Sequence, residues 1–138
     1  MAVGFHFDCF FYQIGHGDFL HSFFSTISYY LEPDGWGTKY PKLLSSLYYK
    51  KLNYSDIPQA IEETKEIRVK LAKFPPSQVI WDIDDLTAQP PWGDNISKQI
   101  TSLSNYFKTN DGRNLFDLLL LALNDAYEDK FDLEIRSL

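Results

Sequence analysis

Residues 113–128 read RNLFDLLLLALNDAYE and carry the strongest periodic pattern in the chain. The apolar side chains recur every three or four positions, which aligns them along one side of an α-helix. The stripe comprises Leu115, Phe116, Leu119, Leu120, Leu123 and Tyr127, and Leu118 and Leu121 widen it. A stripe of this width predicts the central helix of the hydrophobic core.

Three segments have the composition of β-strands. Phe131 to Arg136 alternates apolar and charged residues, a pattern typical of a half-exposed strand at the edge of a sheet. Val3 to Ile14 is dense in Phe, Tyr and Val and predicts a strand that ends at Gly15 and Gly17. Val79 to Ile83 predicts a third, short strand between prolines and aspartates.

The other periodic segments predict helices. They are a helix capped by Asp18 and ending at Leu31, a short one from Tyr40 or Pro41 to Tyr48, and a third over Ile57 to Lys73. Asp84 to Asn95 has no period and predicts a loop, whereas Ile96 to Thr109 fits either a helix or a strand, and we expect a helical start with an extended end. Helices and strands without regular alternation predict an α+β fold. We expect one domain, residues 1–138, with a small, mostly antiparallel sheet and four to five packed helices.

Composition limits the possible partners. The chain has 138 residues, a formal net charge of −6 and a sequence pI near 4.9. Direct binding to nucleic acid is disfavoured because it requires clustered Lys and Arg, whereas a basic protein is a favourable partner for an acidic chain. A single cysteine, no basic residue before the first apolar stretch and no apolar run of about 20 residues predict a cytosolic protein with no membrane segment.

Candidate catalytic residues concentrate near the N-terminus. Imidazole and carboxylate groups there could bind a metal or move protons, and the set is His6, Asp8, His16, Asp18 and His21. Their spacing does not align them on one helix face, so a small metal-dependent hydrolase using His6, Asp8, His16 and Asp18 is the alternative hypothesis. Cys9 is expected to be buried and inert. We predict no metal, no cofactor and no enzymatic activity.

Aromatic residues make up 17% of the chain and alternate with acidic residues on irregular segments. Aromatic anchors surrounded by carboxylates suit docking to a basic protein surface, because the rings supply affinity and the charges supply association rate. Three such groups stand out: Glu32, Asp34 and Trp36; Asp82, Asp84, Asp85, Trp92 and Asp94; and Asp125, Glu128, Asp129, Asp132 and Glu134. For Trp36, Trp81 and Trp92 the alternative is that each ring packs a turn against the core.

Short motifs along most of the chain resemble, in order and spacing, the immunity protein 70 family of bacterial polymorphic toxin and contact-dependent growth inhibition systems. They are Leu31-Glu32, Gly35-Trp36-Gly37, Leu47-Tyr48, Ile80-Trp81-Asp82, Pro90-Pro91-Trp92-Gly93, Tyr106-Phe107 and Asp111-Gly112-Arg113. No single motif is diagnostic, since each has only two to four residues.

This resemblance implies a non-catalytic cytosolic protein that binds a cognate toxin domain and blocks it. The toxins met by such families are commonly nucleases, whose basic substrate grooves an acidic inhibitor can occupy. We expect the contacts to come from Glu32, Asp34, Trp36, Asp84, Asp85, Trp92 and Asp94. Within the family resemblance, Trp81, Asp82, Pro91 and Gly93 are expected to hold the fold.

Overall fold

The N-terminal segment forms a β-hairpin in the computed structural model, which describes residues 2–137. Strand β1, Ala2–Phe7, pairs antiparallel with β2, Phe10–His16. The prediction of one continuous strand is wrong, because Asp8 has a φ of 52° and turns the chain with Cys9. Cys9 is therefore exposed at the hairpin loop, not buried as predicted.

Strand β3, Lys51–Leu52, pairs with one side of β4, Leu133–Ser137, while β1 pairs with the other. The four strands found between residues 2 and 137 thus form one antiparallel sheet in the order β2-β1-β4-β3. The C-terminal strand is thus confirmed, but its predicted place at the sheet edge is wrong. A two-residue strand such as β3 is too short to show a period in the sequence.

Three α-helices and one π-helical segment pack on this sheet within residues 2–137. Helix α1 spans Gly17–Leu31, the π-helical segment Lys42–Leu47, α2 Ile57–Leu71 and α3 Leu115–Asp129. The predicted α+β class is confirmed. His16, not Asp18, caps α1, since its Nδ1 accepts the backbone N–H of Asp18 at 3.3 Å. Asn114 Oδ1 caps α3 by accepting the N–H of Phe116 at 2.8 Å.

The core lies between one face of the sheet and the helices. Phe5 and Leu133 from the sheet are fully buried, as are Phe23 of α1 and Leu119 of α3. The rings of Phe23 and Phe116 meet edge to face with centroids 5.0 Å apart, a favoured aromatic geometry. The central role predicted for α3 is therefore confirmed.

Two predicted elements do not form. Residues 79–83 are not a strand: the backbone of Ile80 bonds side chains of α1 instead of a neighbouring strand. Residues 96–109 contain no helix but successive turns. Asn105 Oδ1 there accepts the N–H groups of Thr101 and Ser102, and such local side-chain bonds compete with helical ones.

Candidate functional site

The loop after α1 is organised around a buried carboxylate. Glu32 is 3% exposed and accepts backbone N–H groups from Gly37 at 3.0 Å, Lys39 at 3.1 Å and Tyr40 at 2.9 Å. Three donors satisfy a carboxylate that would otherwise be costly to bury. Glu32 was expected to contact a partner, but in this position it holds the 33–39 loop and leaves Asp34 exposed at its surface.

Trp36 is held on the protein by one edge and one face. Its Nε1 donates to the carbonyl of Leu44 at 2.8 Å, and its ring stacks on the imidazole of His21 with centroids 6.1 Å apart and planes 20° apart. Tyr49, whose ring lies 6.0 Å from that of Trp36, is 64% exposed. Trp36 therefore positions the loop and still contributes to a partly exposed aromatic surface.

The 79–85 segment is fixed along α1 by three hydroxyl side chains. Ser22 Oγ donates to the carbonyl of Ile80 at 2.8 Å, and Thr26 Oγ1 accepts the N–H of the same residue at 3.1 Å. Ser25 Oγ accepts the N–H of Ile83 at 3.2 Å. These three anchors on one helix place residues 80–83 beside the middle of α1.

His21 joins this segment to the Trp36 loop. Its Nε2 lies 3.1 Å from Asp82 Oδ1, and its Nδ1 lies 2.6 Å from the hydroxyl of Tyr48. The backbone N–H of Asp84, which donates to Asp82 Oδ1, and the His21 ring hold the pKa of Asp82 below its ordinary value. Burial raises the pKa of Tyr48. Asp82 is thus a charged, half-buried bridge, and Asp84 and Asp85 next to it are exposed.

The structure therefore joins parts of two of the three predicted acidic groups into one surface. We call it the acidic-aromatic face, and it consists of His21, Asp34, Trp36, Tyr48, Tyr49, Asp82, Asp84 and Asp85. The sequence analysis did not predict three of its members as contacts. His21 was grouped with the other histidines, Tyr48 was noted only within the Leu47-Tyr48 motif, and Tyr49 is followed by Lys50 and Lys51 and has no acidic residue next to it.

Trp92 lies on a separate, adjoining loop. Its ring meets Trp81 edge to face at 5.4 Å, its Nε1 donates to the hydroxyl of Tyr106 at 2.8 Å, and 37% of the residue is exposed. Gly93 has a φ of 55°, a backbone conformation that favours glycine, and its N–H donates to the carbonyl of Pro90. This turn accounts for part of the Pro-Pro-Trp-Gly motif.

The remaining motif positions are more accessible. Pro91 and Asp94 are exposed. Asp94 also lines a groove of about 450 Å³ together with Pro76, Pro90 and Tyr106.

The N-terminal histidines are not brought together. His6 Nδ1 lies 3.2 Å from Glu134, and His16 Nδ1 lies 3.5 Å from Asp18. Asp8 occupies the hairpin turn. Among residues 2–137, the only three His, Cys, Asp or Glu side chains arranged to share a metal are His21, Asp82 and Asp84. The quartet proposed for a metal-dependent hydrolase is therefore not assembled.

The third acidic group is partly engaged in internal contacts. Asp125 accepts the hydroxyl of Tyr12 at 2.7 Å, Asp132 accepts the N–H of Tyr54 at 2.6 Å, and Glu134 pairs with Arg136 at 2.9 Å. Burial and the bond to Asp125 raise the pKa of Tyr12 to about 12. These carboxylates contribute to the fold of the sheet and α3 more than to a free surface.

Comparison with known protein families gives a match over most of the chain. The family model described as Immunity protein 70 matches residues 5–135. Comparisons with curated proteins and with solved structures found no match. Between residues 2 and 137, every helix is too short or too polar to cross a membrane.

Proposed function

The chain belongs to the Immunity protein 70 family, and from that premise we propose that it binds and neutralises a cognate bacterial toxin domain without catalysing a reaction. The family match over nearly the whole chain carries this proposal. Binding requires a preformed surface and no reacting group. The anchored loops around His21 supply a surface of that kind.

We place the contacts on the acidic-aromatic face and the adjoining Trp92 loop. Four exposed carboxylates of this face and loop take part in none of the ion pairs that residues 2–137 form. They are Asp34, Asp84, Asp85 and Asp94. Carboxylates without an internal cation keep their negative potential for a partner. Glu32 is left out of the proposed contacts because it is buried, whereas Trp36 and Trp92 remain in them.

The charge of this face favours a basic toxin surface. A nuclease groove that binds phosphates is such a surface, and an acidic inhibitor can occupy it in place of the nucleic acid. Exposed rings beside the carboxylates would supply the contact area, since aromatic residues dominate the affinity of protein interfaces. We therefore propose that inhibition occurs by occlusion of the toxin's active site or of a surface next to it, in the cytoplasm of the producing cell.

The experiment that tests the surface is a double charge reversal. Asp84→Lys with Asp85→Lys should slow association with the toxin domain encoded by the gene directly upstream, and the wild-type rate should fall as the Debye length drops from about 10 Å to about 3 Å. The control is Glu62→Lys with Glu128→Lys, which makes the same change in net charge outside the acidic-aromatic face. If both pairs slow association equally, the contacts do not lie on the face proposed here.

A further inference from the structure

Three possible metal ligands converge where the 79–85 segment crosses α1. One nitrogen of His21 and one oxygen each of Asp82 and Asp84 all lie within 4.8 Å of one another. These residues come from two elements that are held together by the hydroxyls of Ser22, Ser25 and Thr26. The backbone around the cluster is thus fixed before any ligand arrives.

The imidazole is already oriented as a metal-binding histidine is. In a metal-binding histidine, the ring nitrogen that does not bind the metal usually forms a hydrogen bond to a neighbouring group. That bond sets the tautomer of the ring and the direction of the nitrogen that binds the metal. In this structure Tyr48 fills that role, 2.6 Å from Nδ1, and the ring of Trp36 covers one face of the imidazole. Nε2 is left directed toward Asp82.

The Tyr48 hydroxyl permits the tautomer that a metal requires. A neutral imidazole that donates from Nε2 to Asp82 accepts the Tyr48 proton at Nδ1. When a cation takes the Nε2 lone pair, the ring proton resides on Nδ1 and is donated to the Tyr48 oxygen, because a tyrosine hydroxyl both donates and accepts. The ring keeps one proton throughout.

The two carboxylates also lack a protein cation other than His21. Asp82 pairs only with His21, and Asp84 forms no ion pair among residues 2–137. A divalent ion would balance both charges with a neutral imidazole. One nitrogen and two oxygen ligands suit the borderline divalent transition metals, Zn²⁺ above all, better than Mg²⁺, which prefers an all-oxygen octahedron.

We propose that His21, Asp82 and Asp84 form a binding site for one divalent transition-metal ion, with water completing its coordination. The site does not require the proposed toxin binding to be correct. A bound ion would fix the 81–85 turn against α1 and so shape the acidic-aromatic face, and it would leave Asp34, Asp85 and Asp94 as the carboxylates available to a partner.

The test is titration of the metal-free full chain with Zn²⁺ by calorimetry, repeated with Co²⁺ to follow its visible absorption. We expect one Zn²⁺ per chain, no comparable binding of Mg²⁺, and Co²⁺ bands typical of a site with nitrogen and oxygen ligands. Asp84→Asn removes a ligand whose side chain forms no hydrogen bond or ion pair among residues 2–137, and it should weaken Zn²⁺ binding by about tenfold or more. Tyr48→Phe should weaken it by roughly 10- to 100-fold, as losses of such orienting groups do.

Two variants serve as controls. Asp94→Asn makes the same chemical change at an exposed carboxylate outside the cluster and should leave Zn²⁺ affinity unchanged. His6→Gln removes the histidine that pairs with Glu134 on the sheet, outside the cluster, and should also leave it unchanged. The proposal is wrong if the wild type binds no Zn²⁺, if Asp84→Asn binds Zn²⁺ as tightly as the wild type, or if binding is lost in His6→Gln. It is also wrong if Asp84→Asn weakens only toxin binding, which would assign the carboxylates to a basic side chain of the partner.

Discussion

His21 Nε2 lies 3.1 Å from Asp82 Oδ1, although 61 positions separate the two residues in the chain. This contact joins the first turns of α1 to an irregular segment that has no strand partner. It also brings the Trp36 loop and the Asp84 turn to the same surface, because the Trp36 ring stacks on the same imidazole. The proposed binding face therefore depends on how firmly the segment is attached to α1.

Thr26 provides the first test of that attachment. Its hydroxyl accepts the N–H of Ile80 and donates to the carbonyl of the same residue. Thr26→Val keeps the shape and removes both bonds, so we expect a loss of about 1–3 kcal/mol in the free energy of unfolding. The amides of Ile80 and Ile83 should also exchange faster with solvent. Thr38→Val, at an exposed threonine, is the control, and unchanged exchange at Ile80 would contradict the assignment.

Glu32 should be required for the stability of the Trp36 loop. Glu32→Gln removes the negative charge and replaces one acceptor oxygen by an amide donor that faces backbone N–H groups. We expect a loss of about 2–3 kcal/mol in denaturant unfolding, the range for a buried charge-assisted bond left unsatisfied. Glu62→Gln changes the same chemistry at an exposed position, where we expect less than about 0.5 kcal/mol. Equal effects at the two positions would show that Glu32 does not organise the loop.

The bond between Tyr12 and Asp125 predicts a pH dependence of stability. The folded-state pKa of Tyr12 is raised from 10.0 to about 12, so its contribution to stability is complete below pH 10 and is lost as pH rises toward 12. Tyr12→Phe should therefore cost about 1–2 kcal/mol at pH 8, and its difference from wild type should shrink above pH 10. Denaturant unfolding at several pH values measures this, with Tyr29→Phe as control. A difference that stays constant to pH 12 would be inconsistent with the bond.

The sequence was sufficient to predict the fold class and the main helices. Residues 115–129 and 57–71 have long apolar stripes. The helical period of such a stripe can be recognised from the segment itself, without knowledge of the residues it packs against. The hairpin at Asp8 was missed because neither loop residue is a glycine, although Asp is one of the few residues that adopt a positive φ. The pairing of β4 on both sides depended on β3, which has two residues and no readable period.

The candidate site was predictable only in part. Acidic residues next to tryptophans were visible in the sequence, but their convergence on His21 depends on contacts between residues 61 positions apart. The burial of Glu32 could not be read from Glu32 itself, since its partners are backbone N–H groups five to eight residues later. Val79 to Ile83 has the apolar composition of a strand, but its backbone bonds the hydroxyls of α1 where a strand would bond a sheet neighbour, and those hydroxyls belong to another element.

Tyr49 tests the aromatic part of the proposed interface. The residue is 64% exposed, and its ring lies next to those of Trp36 and Tyr48. Tyr49→Ala should lower toxin affinity by about tenfold or more, as loss of an interface anchor does, and should leave the midpoint of thermal unfolding nearly unchanged. Tyr29→Ala, at a 47% exposed tyrosine of α1, is the matched control. Equal losses of affinity would place the interface elsewhere.

The proposed immunity function is tested most directly by co-expressing the chain with the toxin domain encoded by the gene directly upstream, scoring growth and then purifying the two proteins together. We predict that growth is restored and that the two proteins copurify in a stoichiometric complex in which the toxin is inactive. With the toxin shown to be active alone and the chain shown to be folded, continued growth arrest without complex formation would contradict neutralisation of that toxin.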